Sequence, residues 1–395
     1  MSLPGASSLD VAVVGLGAVG SATLYHLARS GARVVGVDRF HPPHDRGSSH
    51  GLTRITRLAV GEGDAFVPLV ARSHQLWREL EAATGQTLYT RTGGLLVVAE
   101  GANDWTFHGS PGFYSRTVEI ARAHGIVHEI LTAAEVRERF PMFTPNDGDQ
   151  AYFERDAGVL YPERAVAAQL ERAVAHGAML RLDERVRGVT PSGGGVAIET
   201  ERGTLYADRA VVTAGAWMPQ LVGAAAIGRE LRVLRQVLYW FRAADPALYA
   251  PGRCPVWIWV HGRGAAGAAY GFPMGDGIDG AKTATEQDTS ETDPDAVERS
   301  VSEAEVQAMY ETHLRGRVRG LLPQAVRSAT CLYTNTADAA FVVRDHPQSA
   351  AITLVSACSG HGFKHSAALG EALAARAAGR EPLASLLAFA PHAAL

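Results

Sequence analysis

Cysteine is scarce in this sequence: Cys254, Cys331 and Cys358 are the full set, spaced 77 and 27 residues apart. Such a set excludes a disulfide framework and a zinc knuckle, and buried, inert thiols in a reducing compartment are the ordinary expectation. An excess of one charge is also missing. Lys plus Arg is 37 and Asp plus Glu is 41, a formal net charge of −4, so nothing points to nucleic acid or an anionic membrane as partner. Nor is there a long apolar run. The nearest approach, residues 11–28, is broken by Gly, Ser, Thr, Tyr and His, which makes a poor membrane span. Asp10 and no Lys or Arg precedes it, so it lacks a signal peptide's positive flank. A cytoplasmic chain is expected. With 395 residues and no internal repeats, two intertwined domains are expected.

What is present begins with "DVAVVGLGAVG". A β-branched strand, Val11 to Val14, runs into Gly15-Leu16-Gly17-Ala18-Val19-Gly20, and Gly20, Thr23, Leu24, Leu27 and Ala28 then recur with helical spacing. A second strand, "RVVGVD", ends on Asp38. Strand, glycines, helix, strand and acid in register form the adenine-dinucleotide fingerprint. Gly15 makes the tight turn, Gly17 lets the backbone reach a pyrophosphate, Gly20 permits close packing, and Asp38 would accept from a ribose hydroxyl. The motif does not separate FAD from NAD.

A nicotinamide domain would normally continue into another crossover helix. Here "RFHPPHDRGSSHGLTRITR" follows instead, with two prolines that disfavour helix until about Leu52. Polar loops are commonly just surface, but this one carries Arg54 and Arg57 and would suit the lining of a cofactor ring. Further on, helices are expected over 65–85, 114–125, 133–140 and 162–178. Strands are expected at 92–99, 158–161, 194–214 and 351–358, and Gly215 breaks the strand that ends at Val211-Val212. Residues 230–275 alternate short aromatic strands, "VLYWF", "VWIWV" and "AAYGF", as in an antiparallel sheet. Residues 286–305 are acidic and poor in apolar side chains, which reads as a solvated excursion with a short exposed helix. Nucleotide-binding pieces thus lie at both ends and in the middle, around an inserted sheet. That layout suits a two-domain flavoprotein of the α/β class (α+β overall), a Rossmann-like FAD-binding domain with an inserted antiparallel-sheet substrate domain. The expected division is 1–83, 156–222 and 328–395 for the first and 84–155 and 223–327 for the second.

Taken together, "PPHDRGSSHGLTRITRLAVGEG", "YGFP", "CLYT" and "SGHGFKHSAALGE" resemble the monomeric sarcosine oxidase and N-methyltryptophan oxidase family, within the D-amino-acid-oxidase-like flavoproteins. The resemblance runs nearly end to end. It implies an FAD oxidase of a secondary amino acid that uses O2, needs no metal, and is monomeric. It further implies that Cys331 carries FAD covalently through the 8α-methyl, a thiolate adding at an electron-poor carbon. Lys282 would sit over the flavin and assist O2 reduction. Arg57 and Lys364 would grip the substrate carboxylate, Arg54 and His50 would lie beside the ring, and Tyr270 and Tyr333 would wall the pocket. Around the cofactor the resemblance places Gly15, Gly17, Ala18, Val19, Gly20, Asp38, Arg39, Ser48, Ser49, Val186, Ala214, Gly215, Trp217, Cys331, Gly360, Gly362, Phe363 and Lys364. Lys364 also precedes the last helix, whose N-terminal dipole favours negative charge on the reduced ring. Cys254 and Cys358 are expected in the core.

Departures from the family pattern concern the pocket lining. Glu286 stands where a substrate-contacting histidine is usual, Ser49 replaces a histidine, Leu52 an aspartate, and His365 an aromatic. An acidic wall suits a substrate with a second amine or other donor. Rival expectations are oxidation of a cyclic imino acid or other amine on the same scaffold, a dehydrogenase using a non-oxygen acceptor, and a non-catalytic flavin-dependent regulator.

Overall fold

In the computed structural model, Leu9–Val14 is the strand around which the first sheet is built; the structure describes residues 9–103, 111–223, 226–263 and 265–382. Leu9–Val14 pairs in parallel with Val34–Val37 on one side and Gly203–Val212 on the other. Met179–Arg181 and Ser349–Ser356 extend the parallel core outward, and antiparallel hairpin strands complete it. Val11 and Val13 face one hydrophobic cluster, formed with Leu24, Leu27, Ala168, Leu369 and Leu373 of three helices. Ala12 and Val14 face the opposite cluster with Val196, Ile198 and Met218. Burial on both faces explains why this strand reads as an unbroken apolar run rather than an alternating one.

The helices on the first face are Ala18–Arg29, Pro162–Ala175 and Ser366–Ala377. They touch closely enough that a Cβ on Gly370 would lie 2.4 Å from that of Ala22. The helix expected over 65–85 spans Val67–Thr84 and ends on Gly85 at φ 69°, a left-handed cap that glycine adopts without steric cost. Phe113–Ala123 and Ala133–Arg139 are the next two, the latter started by a reciprocal Thr132–Glu135 capping box.

The second sheet runs Leu321–Asn335, Arg232–Ala243, Ala281–Ala284, Ala268–Gly271, Val256–Val260, Gly94–Val98, Gln150–Glu154 and His128–Thr132. It is not wholly antiparallel. Val256–Val260 pairs in parallel with Gly94–Val98, because these strands arrive from distant parts of the chain and not through a hairpin. The 15-residue strand Leu321–Asn335 also passes straight through the expected boundary at residue 328, and residues 383–395 of the expected FAD-binding segment lie outside the described residues. A small third sheet, Arg54–Thr56, Gly158–Leu160 and Tyr89–Arg91, sits between the other two in sequence.

The acidic stretch 286–305 is largely exposed and carries a short helix, as expected of a solvated excursion, but it is also anchored. Its regular helix begins at Glu303, and the stretch is tied to the rest of the fold: Asp295 accepts from Arg39, Glu305 accepts from Arg235, and Arg299 donates to the carbonyls of Asp45 and Arg46. Carboxylates without an apolar face find partners that periodicity cannot show. Among the described residues no helix is long and apolar enough to cross a membrane.

Candidate active site

The glycine turn is sterically specified. Gly15 lies at φ 88°, and a Cβ there would meet Thr213 O at 2.6 Å; a Cβ on Gly20 would lie 1.8 Å from Gly15 O. Helix Ala18–Arg29 therefore starts hard against the turn, its first N–H groups facing a cavity of about 590 Å³. One of them, Ala18 N–H, donates to Ser49 Oγ at 3.1 Å. Asp38 is buried and accepts from Leu16 N–H at 2.7 Å and Phe40 N–H at 2.8 Å. It braces the turn as well as lining the cavity, and burial pushes its carboxyl pKa up.

From the turn the cavity passes Ser48, Ser49, Val186, Ala214, Gly215 and Trp217 to Gly360, Gly362 and Phe363, and ends among Arg54, Arg57, Tyr270, Lys282, Glu286, Tyr333 and Lys364. Ala18, Val19, Gly17 and Arg39 line it too. Three expected site residues do not. Gly20 is inside the helix packing. His50 is buried with Nε2 unbonded, and burial, then Arg54, drop its pKa to about 3. Cys331 is fully buried one layer back, its Sγ 3.6 Å from Arg54 Nη2 and from Ser48 O and 3.8 Å from Gly47 O. Burial raises the thiol pKa, and the Arg54 guanidinium opposes it. Cys358, expected in the core, is half-buried and lines the cavity, because the strand Ser349–Ser356 ends just before it.

Lys282 and Arg54 meet on one loop. Lys282 Nζ donates to Gly51 O and Thr53 O, both at 2.8 Å, and to Thr53 Oγ1 at 3.1 Å, while lying 4.6 Å from the Phe272 ring centroid. Three acceptors and an aromatic face favour the ammonium; burial, then Arg54, pull its pKa well below the usual value. On the other side of the loop Glu163 accepts from Gly51 N–H at 2.7 Å and Leu52 N–H at 3.0 Å. Carboxylate and ammonium thus hold opposite ends of the Gly51–Leu52 peptide unit, and Leu52 is kept at φ 69°.

The cation-rich end is built from two cations and an acid that sequence reading missed. Glu62 Oε2 accepts from Arg57 Nη2 at 2.7 Å, and its Oε1 from Lys364 Nζ at 3.1 Å. All three are buried. Burial, opposed mainly by Glu62, lowers the Lys364 pKa to about 8. Arg57 also donates from Nε to Ala59 O at 3.0 Å. The buried Glu154 fixes that turn by accepting from Leu58 N–H at 2.6 Å and Ala59 N–H at 3.0 Å. Tyr270 and Tyr333 touch through their hydroxyls at 3.3 Å. His365 is fully buried with neither ring nitrogen bonded, packed among Phe66 and Phe341, which is how it substitutes for an aromatic. Glu62, Glu154 and Glu163 carried no signal at their own positions, since each serves a backbone or cation that only folding brings near.

The residues fit an elongated dinucleotide: a glycine cradle that any Cβ would fill, an acid beyond the second strand, and a continuous cavity leading to a cation-rich end. The family model of the FAD dependent oxidoreductases called DAO matches residues 10–376. The chain belongs to that family. This oxidoreductase is 39% identical to the monomeric sarcosine oxidase of Streptomyces avermitilis, over 92% of each chain. It is 31% identical to the N-methyl-L-tryptophan oxidase of Yersinia pestis, over 92% of this chain and 94% of that one. NikD, described as an unusual amino acid oxidase essential for nikkomycin biosynthesis, shares its fold with a TM-score of 0.80, 24% identity and 94% coverage of both chains. It is thus an FAD-dependent oxidoreductase with the α/β architecture of amino acid oxidases.

Proposed function

We propose that this oxidoreductase oxidises a secondary α-amino acid, N-methyl or N-alkyl, with O2 as acceptor. The C–N bond loses two electrons and two protons to become an imine, O2 gains them to become H2O2, and water hydrolyses the imine to an aldehyde and a primary amine. FAD, when bound, supplies the two-electron relay between amine and O2. The names of the relatives support this substrate class, but one observation carries it: Arg57 and Lys364 already grip a carboxylate, one cation on each oxygen of Glu62. Two cations against one acid leave a single positive charge for an incoming carboxylate, which would orient the amine toward the rest of the cavity.

The other residues take supporting roles. Tyr270 and Tyr333 exclude water from one wall. Lys282, held on the Gly51–Thr53 loop, places a charge where oxygen would be reduced. Arg54 stabilises anionic groups beside it, the ring and the Cys331 thiolate among them. Cys331 would tether FAD, and Glu286 in the lining favours a substrate with a further donor. In this proposal residues 1–83, 156–222 and 328–395 hold FAD, 84–155 and 223–327 shape the substrate side, and the enzyme works as a cytoplasmic monomer.

The test is anaerobic bleaching of the purified yellow protein by N-alkyl amino acids, with peroxide measured on readmitting air. Arg57→Met should raise KM for N-alkyl amino acids by about 100-fold, the loss of a charge-assisted bidentate contact, while simple amines react as before. In Cys331→Ser, acid precipitation should release the colour into the supernatant, whereas the wild type keeps it in the pellet. Absence of peroxide with every secondary amino acid would overturn the substrate assignment.

A further inference from the structure

The end of the cavity remote from Lys282 is backed by residues 291–299, which contribute no lining residue of their own. Asp38 follows the second strand of the glycine-turn unit, and in such units the acid at this point marks the adenosine half of the dinucleotide. The wall around it includes Arg39, Phe40, Arg185, Trp217 and Gln220. Three of these reach outward to two acids of the stretch 286–305. Asp295 Oδ1 accepts from Trp217 Nε1–H at 2.7 Å and from Arg39 Nη1 at 2.6 Å, and Asp293 Oδ1 accepts from Gln220 Nε2 at 3.0 Å. Arg185 stands 4.0 Å from the second oxygen of Asp295. Arg39 lies over the Trp217 ring, 5.8 Å from its centroid.

The same segment is anchored in the second sheet. Thr292 N–H donates to Val233 O at 2.9 Å, Arg235 N–H to Ser290 O at 2.8 Å, and the Arg235 side chain to Glu298 O and Ser300 O, both at 2.8 Å. One strand of the second sheet is thus tied, through two carboxylates, to the wall of a site built on the first. Asp295 and Arg39 are each about one-third exposed, 33% and 30%, so the tie lies where water and salt can compete for it.

We propose that residues 291–299 are a clasp over the adenosine end of the FAD site, with Asp295 as its latch. Asp295 is a positioning residue. It gathers the guanidinium of Arg39 and the indole of Trp217 into a wall against the nucleotide, and it sets FAD affinity without touching the reacting atoms. The inference needs only that FAD occupies the cavity, and it is independent of the substrate.

The experiment uses apoprotein of the Cys331→Ser variant, so that retention is non-covalent, and reads the Kd for FAD from the change in flavin fluorescence at low and high salt. Asp295→Ala in that background should raise Kd about tenfold, the loss of one partly exposed ion pair and one hydrogen bond. It should also flatten the salt dependence of Kd. Asp295→Asn, which keeps an acceptor for Trp217, should fall between. Asp288→Asn, at an exposed acid just before the clasp whose side chain touches no wall residue, should leave Kd unchanged. Circular dichroism melts of the apoproteins separate a loosened clasp from a misfolded chain. Equal Kd values in Asp295→Ala and its parent, or an equal rise in Asp288→Asn, would overturn the proposal.

Discussion

At neutral pH the trio of Arg57, Glu62 and Lys364 holds two positive charges and one negative one, and Lys364 is the member that titrates within reach. Its pKa is lowered from 10.5 to about 8 because burial disfavours the ammonium more than Glu62 supports it. For stability the sign is clear: between about 8 and 10.5 the unfolded chain binds more protons at this lysine, so its unfavourable contribution fades as pH rises through that window. For binding the sign is opposite, since raising the pH removes the charge that the substrate carboxylate needs. A short carboxylic acid lacking an amine should therefore bind more weakly above pH 8, approaching tenfold per pH unit, when followed by perturbation of the flavin spectrum. In Lys364→Met the slope over that range should vanish; an unchanged slope would assign the titration elsewhere. Lys282 calls for a kinetic separation. Lys282→Met should slow flavin reoxidation by O2 by about 10²- to 10³-fold, as for loss of one electrostatic stabiliser, with much less effect on anaerobic reduction by substrate in stopped flow. Arg57, Lys364 and Lys282 could be named from sequence because they sit in specific motifs. Glu62 could not, for a glutamate between two glycines in "VGEGD" has no pattern that says two cations will converge on it.

At the scale of elements, the strand–turn–helix unit is fixed by contacts that lie close in sequence. Gly20 packs on Gly15 O, and neither backbone can yield. Gly20→Ala should cost roughly 1–3 kcal/mol of stability through overpacking and yield protein without bound FAD. Gly31→Ala is the matched control. Its Cβ would meet nothing within 4 Å, so it should bear only the cost of its left-handed conformation, about 1–2 kcal/mol, and remain yellow. Absorbance at the flavin band and thermal melts together check both. Most helices and strands were legible for the same local reason: apolar periodicity, a capping box, a glycine stop. The parallel pairing of Gly94–Val98 with Val256–Val260 was not, because pairing partners over 150 residues apart leave no trace in either strand's own pattern. The anchoring of the acidic stretch was illegible for a related reason. Its composition says that it cannot form a core, and says nothing of which arginines will meet it.

Across the whole molecule, one cavity is lined from both large sheets: Gly15, Asp38 and Thr213 each follow directly on a strand of the first, and Tyr270, Lys282 and Tyr333 lie in strands of the second. FAD held there would contact both and would bind only when they are assembled, so it should stabilise the native state by mass action, about 2.7 kcal/mol at a free concentration 100 times Kd. The Tm of Cys331→Ser apoprotein should accordingly rise with the logarithm of added FAD in calorimetry. A Tm independent of FAD would mean that the cofactor does not bridge the assembled sheets.

The chain's own order of residues determined the glycine turn, the helices around it and the motifs that announce an FAD-dependent oxidoreductase, since these depend on neighbours within a few tens of residues. Only the tertiary structure decided that Glu62 sits between Arg57 and Lys364, the latter 302 residues away, that Glu163 and Lys282 hold one loop from opposite sides, and that Asp295 reaches Arg39 and Trp217. Charges buried away from water must find partners. Which partners they find depends on how distant segments pack, and that information is spread over the entire fold.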